Sequence, residues 1–274
     1  CGVGECRVSV PSCDNGVPQQ CVPGSAVGAE ICGDGLDNDC NGHIDDGCNC
    51  IHVAPFGDDN NGTGTEANPV QTINAGILLA QNPGSPKTVC VAAQSNCHWT
   101  FYDESVAMAD GISVAGGFDP NTSPWTQRPL HVNSPSCVTE IRGQTTWGLY
   151  FGSGVTSPTL LDNFALSLTS DLGPDTAVVT IKGSSGAEIG NCSVFGSDTG
   201  SSSVGVLIVE DTTGSDPVPA SPVIFSSTIE GGAASTSIGI YSVNSSPVIL
   251  SCCSPADITA GGRCLHGCID GIHI

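Results

Sequence analysis

The chain has 274 residues, enough for one large domain and a small one. Only 12% of residues are charged and 5% aromatic, while glycine numbers 36 and proline 18, a composition that argues against a helical bundle and for many turns and short strands. Six basic against 27 acidic side chains give a net charge of −21, which argues against DNA or RNA as a partner, because phosphate binding needs clustered Lys and Arg.

Residues 1–50 carry eight of the sixteen cysteines: Cys1, Cys6, Cys13, Cys21, Cys32, Cys40, Cys48 and Cys50. The even count and loop-rich setting predict disulfides, formed in an oxidising compartment, and no pair has the C-x₂-C spacing of a zinc ribbon. The acidic, lysine-poor composition points to an extracellular or outer cell-surface location. The segment lacks apolar periodicity, so cross-links or a metal have to stabilise it. No apolar run approaches the ~20 residues of a membrane span.

Within this module, Asp37-Asn38-Asp39-Cys40-Asn41-Gly42-His43-Ile44-Asp45-Asp46 places oxygen ligands at alternate positions followed by glycine. That is the first half of an EF-hand-type loop: alternating carboxylates converge on one ion, and the glycine permits the turn that brings later ligands round. The ligand set is Asp34, Asp37, Asp39, Asn41, His43 through its backbone carbonyl, Asp45 and Asp46, with Glu30 as a further candidate. Cys48 stands where a bidentate Glu would close an EF-hand, so the loop is closer to a thrombospondin-type calcium repeat. Hard carboxylate oxygens favour Ca2+ over zinc or copper.

The run Glu30 to Asp46, preceded by Cys1-Gly2-Val3-Gly4-Glu5-Cys6 and Gln20-Cys21-Val22-Pro23-Gly24, resembles the metal-binding repeats of the MopE-like family of bacterial outer-surface proteins. The resemblance covers about the first 50 residues and departs from the usual repeat at Asn41 and Asp46, where Asp and Glu are common. It implies a surface protein with a metal-stabilised module.

Residues 51–145 change character. Asp58-Asp59-Asn60-Asn61-Gly62 reads as a turn-rich loop, and the run Val70 to Gln81, with Ile73, Ile77, Leu78 and Leu79 at helical spacing, predicts a short amphipathic helix. Strands are expected at Thr88–Ala92 and Gly111–Ala115.

Residues 146–274 repeat. Apolar strands recur at Gly148-Leu149-Tyr150, Ala177-Val178-Val179, Gly205-Val206-Leu207, Gly239-Ile240-Tyr241 and Gly271-Ile272-His273; pairing Gly148 with Thr176 gives intervals of 28, 29, 34 and 32 residues. A second series starts at Ser157-Pro158, Ser185-Gly186, Ser221-Pro222 and Ser246-Pro247. It aligns Leu161, Ile189, Phe225 and Leu250 in an apolar column, with Asn163, Asn191, Ser227 and Cys252 two places on. This predicts an all-β chain, a right-handed parallel β-helix whose coils stack ~4.8 Å apart. The helix would cap its N-terminal end.

The second half is similar to pectin-lyase-like β-helix domains of bacterial surface proteins. Gly57-Asp58-Asp59, Gly64-Thr65-Glu66, Asn68-Pro69 and Val114-Ala115-Gly116-Gly117-Phe118-Asp119 look like their first coils. That resemblance implies the fold, which hosts enzymes and non-enzymes alike.

An enzyme is not expected. A lyase needs a basic residue near a held uronate, and Arg128, Arg142, Lys182 and Arg263 lie in no recognisable motif. A hydrolase needs paired carboxylates, and Asp162, Glu188, Glu210 and Glu230 fall in different registers. The histidines His43, His52, His98, His131, His266 and His273 are scattered. Cys264 and Cys268 around His266 read as a small disulfide loop, with Cys252-Cys253 as candidate partners.

The expectation is a structural or adhesive surface protein, a filament subunit being one form of it, whose partners are further copies of itself head-to-tail, other surface proteins or glycans. Glycan binding or polysaccharide degradation is the alternative, with Trp99, Trp125, Trp147, Tyr102 and Tyr150 as the aromatic candidates. The sequence starts mid-repeat and stops as a strand begins, so it is expected to continue or to associate.

Overall fold

The computed structural model of the chain describes residues 6–8, 13–14, 17–18, 22–26, 40, 49–93, 100–127, 138–169, 176–196, 202–232, 236–250 and 272–273. They are mostly β, with one helix, and the chain winds repeatedly through three sheets. The eight-stranded sheet runs Ile51–Val53, Thr88–Ala92, Ser113–Asp119, Thr159–Asp162, Ala187–Gly190, Val223–Phe225 and Val248–Leu250, with Thr126–Gln127 antiparallel to Ser113–Asp119. The six-stranded sheet runs Val106–Ala107, Trp147–Phe151, Ala177–Lys182, Ser202–Val209, Thr236–Val243 and Ile272–His273. The five-stranded sheet runs Thr100–Tyr102, Thr139–Gly143, Ala165–Leu168, Ser193–Phe195 and Thr228–Glu230. Every ladder along these three orders is parallel, an arrangement consistent with a parallel β-helix.

Parallel pairing stacks like on like in the interior. Val89, Val114, Leu161, Ile189, Ile224 and Ile249 follow one another in register on the first sheet, as do Leu149, Val179, Val206 and Ile240 on the second and Ile141, Leu166, Val194 and Ile229 on the third. These residues belong to one continuous apolar core, with Ile249 at its partly buried margin.

Two alignments read from the sequence are displaced. Leu149 pairs with Val179, so Val178 and not Thr176 lies level with Gly148. The Ser-Pro starts also mislead by one residue in the later coils: Ile189 pairs with Ile224 and Ile224 with Ile249, so Phe225 and Leu250 point outward. The bend column is accordingly Asn163, Asn191 and Ser226, not Ser227. All three have left-handed backbones, with φ of 64°, 49° and 47°, a region Asn tolerates better than most side chains. Asn163 Nδ2 donates to Gly116 O at 2.9 Å, and Asn191 Nδ2 to Asp162 Oδ1 at 2.7 Å, so each amide reaches back to the preceding coil.

The helix is Ile73–Ala80, shorter than the 70–81 run, because Thr72 ends it as N-cap: Ala75 N donates to Thr72 Oγ1 at 3.2 Å. Two carboxylates take most of the remaining free donors. Asp59 Oδ1 accepts Gln71 N and Thr72 N at 2.7 and 2.9 Å, and Glu104 accepts Ile73 N at 2.7 Å and Asn74 N at 3.1 Å. At the other end, Lys87 Nζ donates to Ala80 O and Asn82 O. The buried face is Ile73, Gly76, Ile77 and Ala80, so Leu78, 66% exposed, is not part of it. Gly76 permits the close approach, since a Cβ there would lie 2.6 Å from Val53 Cγ2 and 2.9 Å from Val89 Cγ1.

The first strand is not left open. His52 N donates to Gly64 O, Val70 N to His52 O and Ala54 N to Val70 O, at 2.8, 3.1 and 2.9 Å, so the chain's own 64–70 segment pairs its outer edge. The expected strand at Thr88–Ala92 is present; that at Gly111–Ala115 lies at Ser113–Asp119. Near the N-terminus Cys13–Asp14 pairs antiparallel with Val17–Pro18.

Ile77→Ala is expected to cost about 2–5 kcal/mol of unfolding free energy, and Leu78→Ala to change it by less than about 0.5 kcal/mol. Chemical denaturation of both variants checks which face of the helix is buried.

Candidate functional site

The seven residues expected to hold a cation, Asp34, Asp37, Asp39, Asn41, His43, Asp45 and Asp46, lie outside the described residues, as does Glu30. Cys40, in the middle of their loop, is described. It has a left-handed φ of 62° and is disulfide-bonded to Cys6. Gly24 N donates to Cys6 O at 2.8 Å, so the disulfide also ties this loop to the 22–26 segment. Among the described residues no group of three or more His, Cys, Asp or Glu side chains is arranged to hold a metal ion, and no helix is long and apolar enough to cross a membrane.

Several of the residues weighed for catalysis have partners in the fold. Arg142 donates to both oxygens of Asp103, at 2.6 and 2.8 Å, and its guanidinium lies 3.9 Å over the Phe101 ring. Lys182 Nζ lies 3.4 Å from Asp211 Oδ1. Asp162 is buried and accepts from Gln127 Nε2 at 3.1 Å as well as from Asn191. Glu188 sits on the neighbouring strand opposite Leu160, two positions from Asp162's partner Gly190, and burial pushes its carboxyl upward. Glu210 accepts from Asn244 Nδ2 at 2.6 Å. Glu230, on Thr228–Glu230, lies in the five-stranded sheet, away from the Asp162 ladder. Arg128, Arg263, Trp99, Cys252, Cys253, Cys264 and Cys268 lie outside the described residues, as do His43, His98, His131 and His266.

Not every cysteine is oxidised. Cys192 is a free, buried thiol facing the core at a bend, where it serves as a small apolar side chain, and burial pushes its pKa far up. Cys50 pairs with Cys90, a bond that crosses the 50/51 boundary read from the sequence.

The described concave site lies beside that disulfide, where strand alternation turns Cys50 and His52 to the outer face of the first strand. A cavity of about 600 Å³ is lined by His52, Glu66, Trp125, Phe118, Thr63 and Ser85, among others. His52 is buried, and its ring stands edge-on to Trp125 with centroids 4.6 Å apart. Its Nδ1 lies 3.3 Å from Gly64 O, the nearer of the two oxygen acceptors that face the ring, and the proton of the neutral imidazole is assigned to Nδ1 on that ground. Nε2 then faces Glu66 Oε1 at 3.7 Å and Cys50 Sγ at 3.6 Å. Glu66 also clasps the covering loop: Oε1 accepts Trp125 N at 2.9 Å and Oε2 accepts Ser123 Oγ at 3.0 Å.

Sequence reasoning passed over this site. His52 is one of six scattered histidines, and its partners lie 14 and 73 positions away at Glu66 and Trp125. The sole local signal is Cys50-Ile51-His52, an alternating triplet that puts a thiol and an imidazole on one face.

The chain matches no family model, no curated protein and no solved structure.

Burial lowers the His52 pKa from 6.5, opposed by the Gly64 carbonyl and the Glu66 charge. The fold therefore favours neutral imidazole. Its contribution to stability is present above the unfolded histidine value and is lost as pH falls through the lower folded value. NMR titration of the His52 ring should give a midpoint below 6.5, and Glu66→Gln should move it further down.

Proposed function

We propose that the chain is a right-handed parallel β-helix acting as a secreted or cell-surface structural or adhesive protein, braced by disulfides and, in its N-terminal module, by Ca2+. Right-handedness is supported by the general rule that ~98% of parallel crossovers take that hand. The observation that carries the scaffold reading is the use of the acidic side chains. Asp59 and Glu104 hold the helix start, and Asp110 accepts Thr156 N and Ser157 N at 2.7 and 2.6 Å. Asp211 accepts Thr213 N at 3.0 Å, and Asp103 grips Arg142. Carboxylates and bases tied to loops in this way serve a rigid frame, not proton transfer, and the reading is non-enzymatic.

Partners on this reading are surface proteins, glycans or further copies. The covered edge of Ile51–Val53 disfavours head-to-tail stacking at that end, so a filament would form through the opposite end or the lateral faces. Ca2+ rests on the alternating ligands Asp37, Asp39 and Asn41, with the left-handed Cys40 between them supporting a tight turn. At a hundredfold excess over its dissociation constant the ion would add about 2.7 kcal/mol. Chelation should therefore speed proteolysis between residues 30 and 50, and Asp39→Ala should reproduce that effect; calorimetry without a calcium heat would reduce the site to an acidic turn.

One observation favours glycan binding as a second reading. The Trp147 and Tyr150 rings lie 5.4 Å apart, half exposed, and Tyr241 follows Tyr150, Thr180 and Leu207 in the same register column. Affinity electrophoresis through neutral polysaccharide gels should retard the protein on this reading, and Tyr150→Ala with Tyr241→Ala should abolish the retardation.

A further inference from the structure

The cavity at His52 presents an unusual pairing of groups. With its Nδ1 proton directed at Gly64 O, the neutral ring aims a lone pair from Nε2 towards Glu66, and the two acceptor atoms stand 3.7 Å apart with no donor between them among the described residues. Two acceptors facing one another in a partly desolvated cleft repel, and either a shared proton or a bound donor relieves them. The other contacts of Glu66, from Ser123 Oγ and Trp125 N, fix its carboxylate in place, so it cannot swing away. The walls are aromatic and apolar, through Trp125, Phe118 and Pro124, and the rim carries Thr63, Ser85 and other small polar groups.

We propose that this cavity is a binding site for an organic primary ammonium ion, whose N–H groups bridge His52 Nε2 and the Glu66 carboxylate while its carbon substituent lies against the Trp125 and Phe118 wall. An ammonium has three donors and no acceptor, which complements two converging acceptors. Its charge suits a carboxylate in a chain of net charge −21. A carboxylate or phosphate ligand would meet Glu66 with like charge, and a neutral ligand would leave that charge unmatched in the cleft. The site is independent of the scaffold reading: a rigid surface protein remains one whether or not the cavity is filled.

The test uses the full disulfide-intact chain at pH 7.5 in EDTA, with benzylammonium as probe and benzyl alcohol as its neutral counterpart, followed by NMR at the His52 ring and the Trp125 indole N–H. The ammonium should bind at least about tenfold more tightly than the alcohol, the difference expected for a charge-assisted hydrogen bond. Saturable shifts should appear at both residues. Acidification through the His52 midpoint should weaken the ammonium and leave the alcohol unaffected. Glu66→Gln, which keeps a carbonyl for Trp125 N, should bring the ammonium down to the alcohol's level. Equal binding of the two probes by the wild-type chain would overturn the proposal, a result that does not depend on how the variant folds. So would shifts that grow without saturating and spread over the acidic surface, the signature of a diffuse counterion atmosphere.

Discussion

Each coil has to deliver an aliphatic side chain beneath the one before it, and the parallel hydrogen-bond ladder enforces that coincidence. A slip of one residue would turn the whole set outward. The column Leu161, Ile189, Ile224, Ile249 shows how strict the demand is. The third and fourth coils reach it one residue sooner after their Ser-Pro starts. The strand nevertheless pairs Ile224, leaving Phe225 to fold its ring over Gly190, where no Cβ would fit. The left-handed bend moves with the register, to Ser226, and Ser227 Oγ takes Cys192 N at 3.1 Å in the place that Phe164 and Cys192 fill in earlier coils. Length differences are absorbed between strands, as in the 210–222 segment, where Asp211 and Val218 pair across a loop.

Stacking also decides the chemistry of the surface. Once the ladders satisfy the strand backbones, the unmet backbone donors lie in loops and at the helix start, and an acidic, lysine-poor chain answers them with carboxylates. Asp110 illustrates the balance: its bonds from Ser157 and Thr156 hold its carboxyl below the usual range, so it remains ionised where the loop needs it. Glu104 shows the opposite tendency, since burial raises its pKa more than its bonds to Ile73 and Asn74 lower it. Among the described residues, much of the negative charge is thus structural in origin, and acidity there does not by itself mark a binding face.

The periodic parts of this arrangement were legible in the sequence. Five apolar strand starts, the Thr88–Ala92 strand and a helix within 70–81 follow from spacing alone, because a recurring coil has to write its core columns at recurring positions. The failures have physical causes. Serine-proline starts mark loops, and loops vary in length, so aligning on them displaced the third and fourth coils. Leu78 fits an apolar pattern but falls outside the stripe set by Ile73, Gly76, Ile77 and Ala80, where a glycine carries the contact. Cys192, outside the 1–50 module where disulfides are expected, is a free thiol whose position at a bend faces the aliphatic core. The pairing of His52 with Glu66 and Trp125 left no periodic trace, because it joins three different loops and strands.

That pairing arises where the eight-stranded sheet is covered on its outer face. Cys50, Ala54, Cys90, Ala92, Ala115, Phe118 and Trp125 form a second apolar cluster there, apart from the interior columns. The 118–127 segment lies over it, and its far border is polar: Gln127 Nε2 donates to Gly116 O at 3.0 Å and reaches Asp162 Oδ2. Beyond that border the outer face shows Glu188, Val223 and Phe225 only partly buried. At the near border the cover has to be tied to the 63–66 loop, and Glu66 does so through Ser123 and Trp125. A carboxylate placed to hold a loop down thereby comes to stand opposite an imidazole that strand alternation has turned outward. The cleft is a by-product of closing the first coils twice, once over the interior core and once over the outer cluster. Its polarity follows from the same two residues that make the closure.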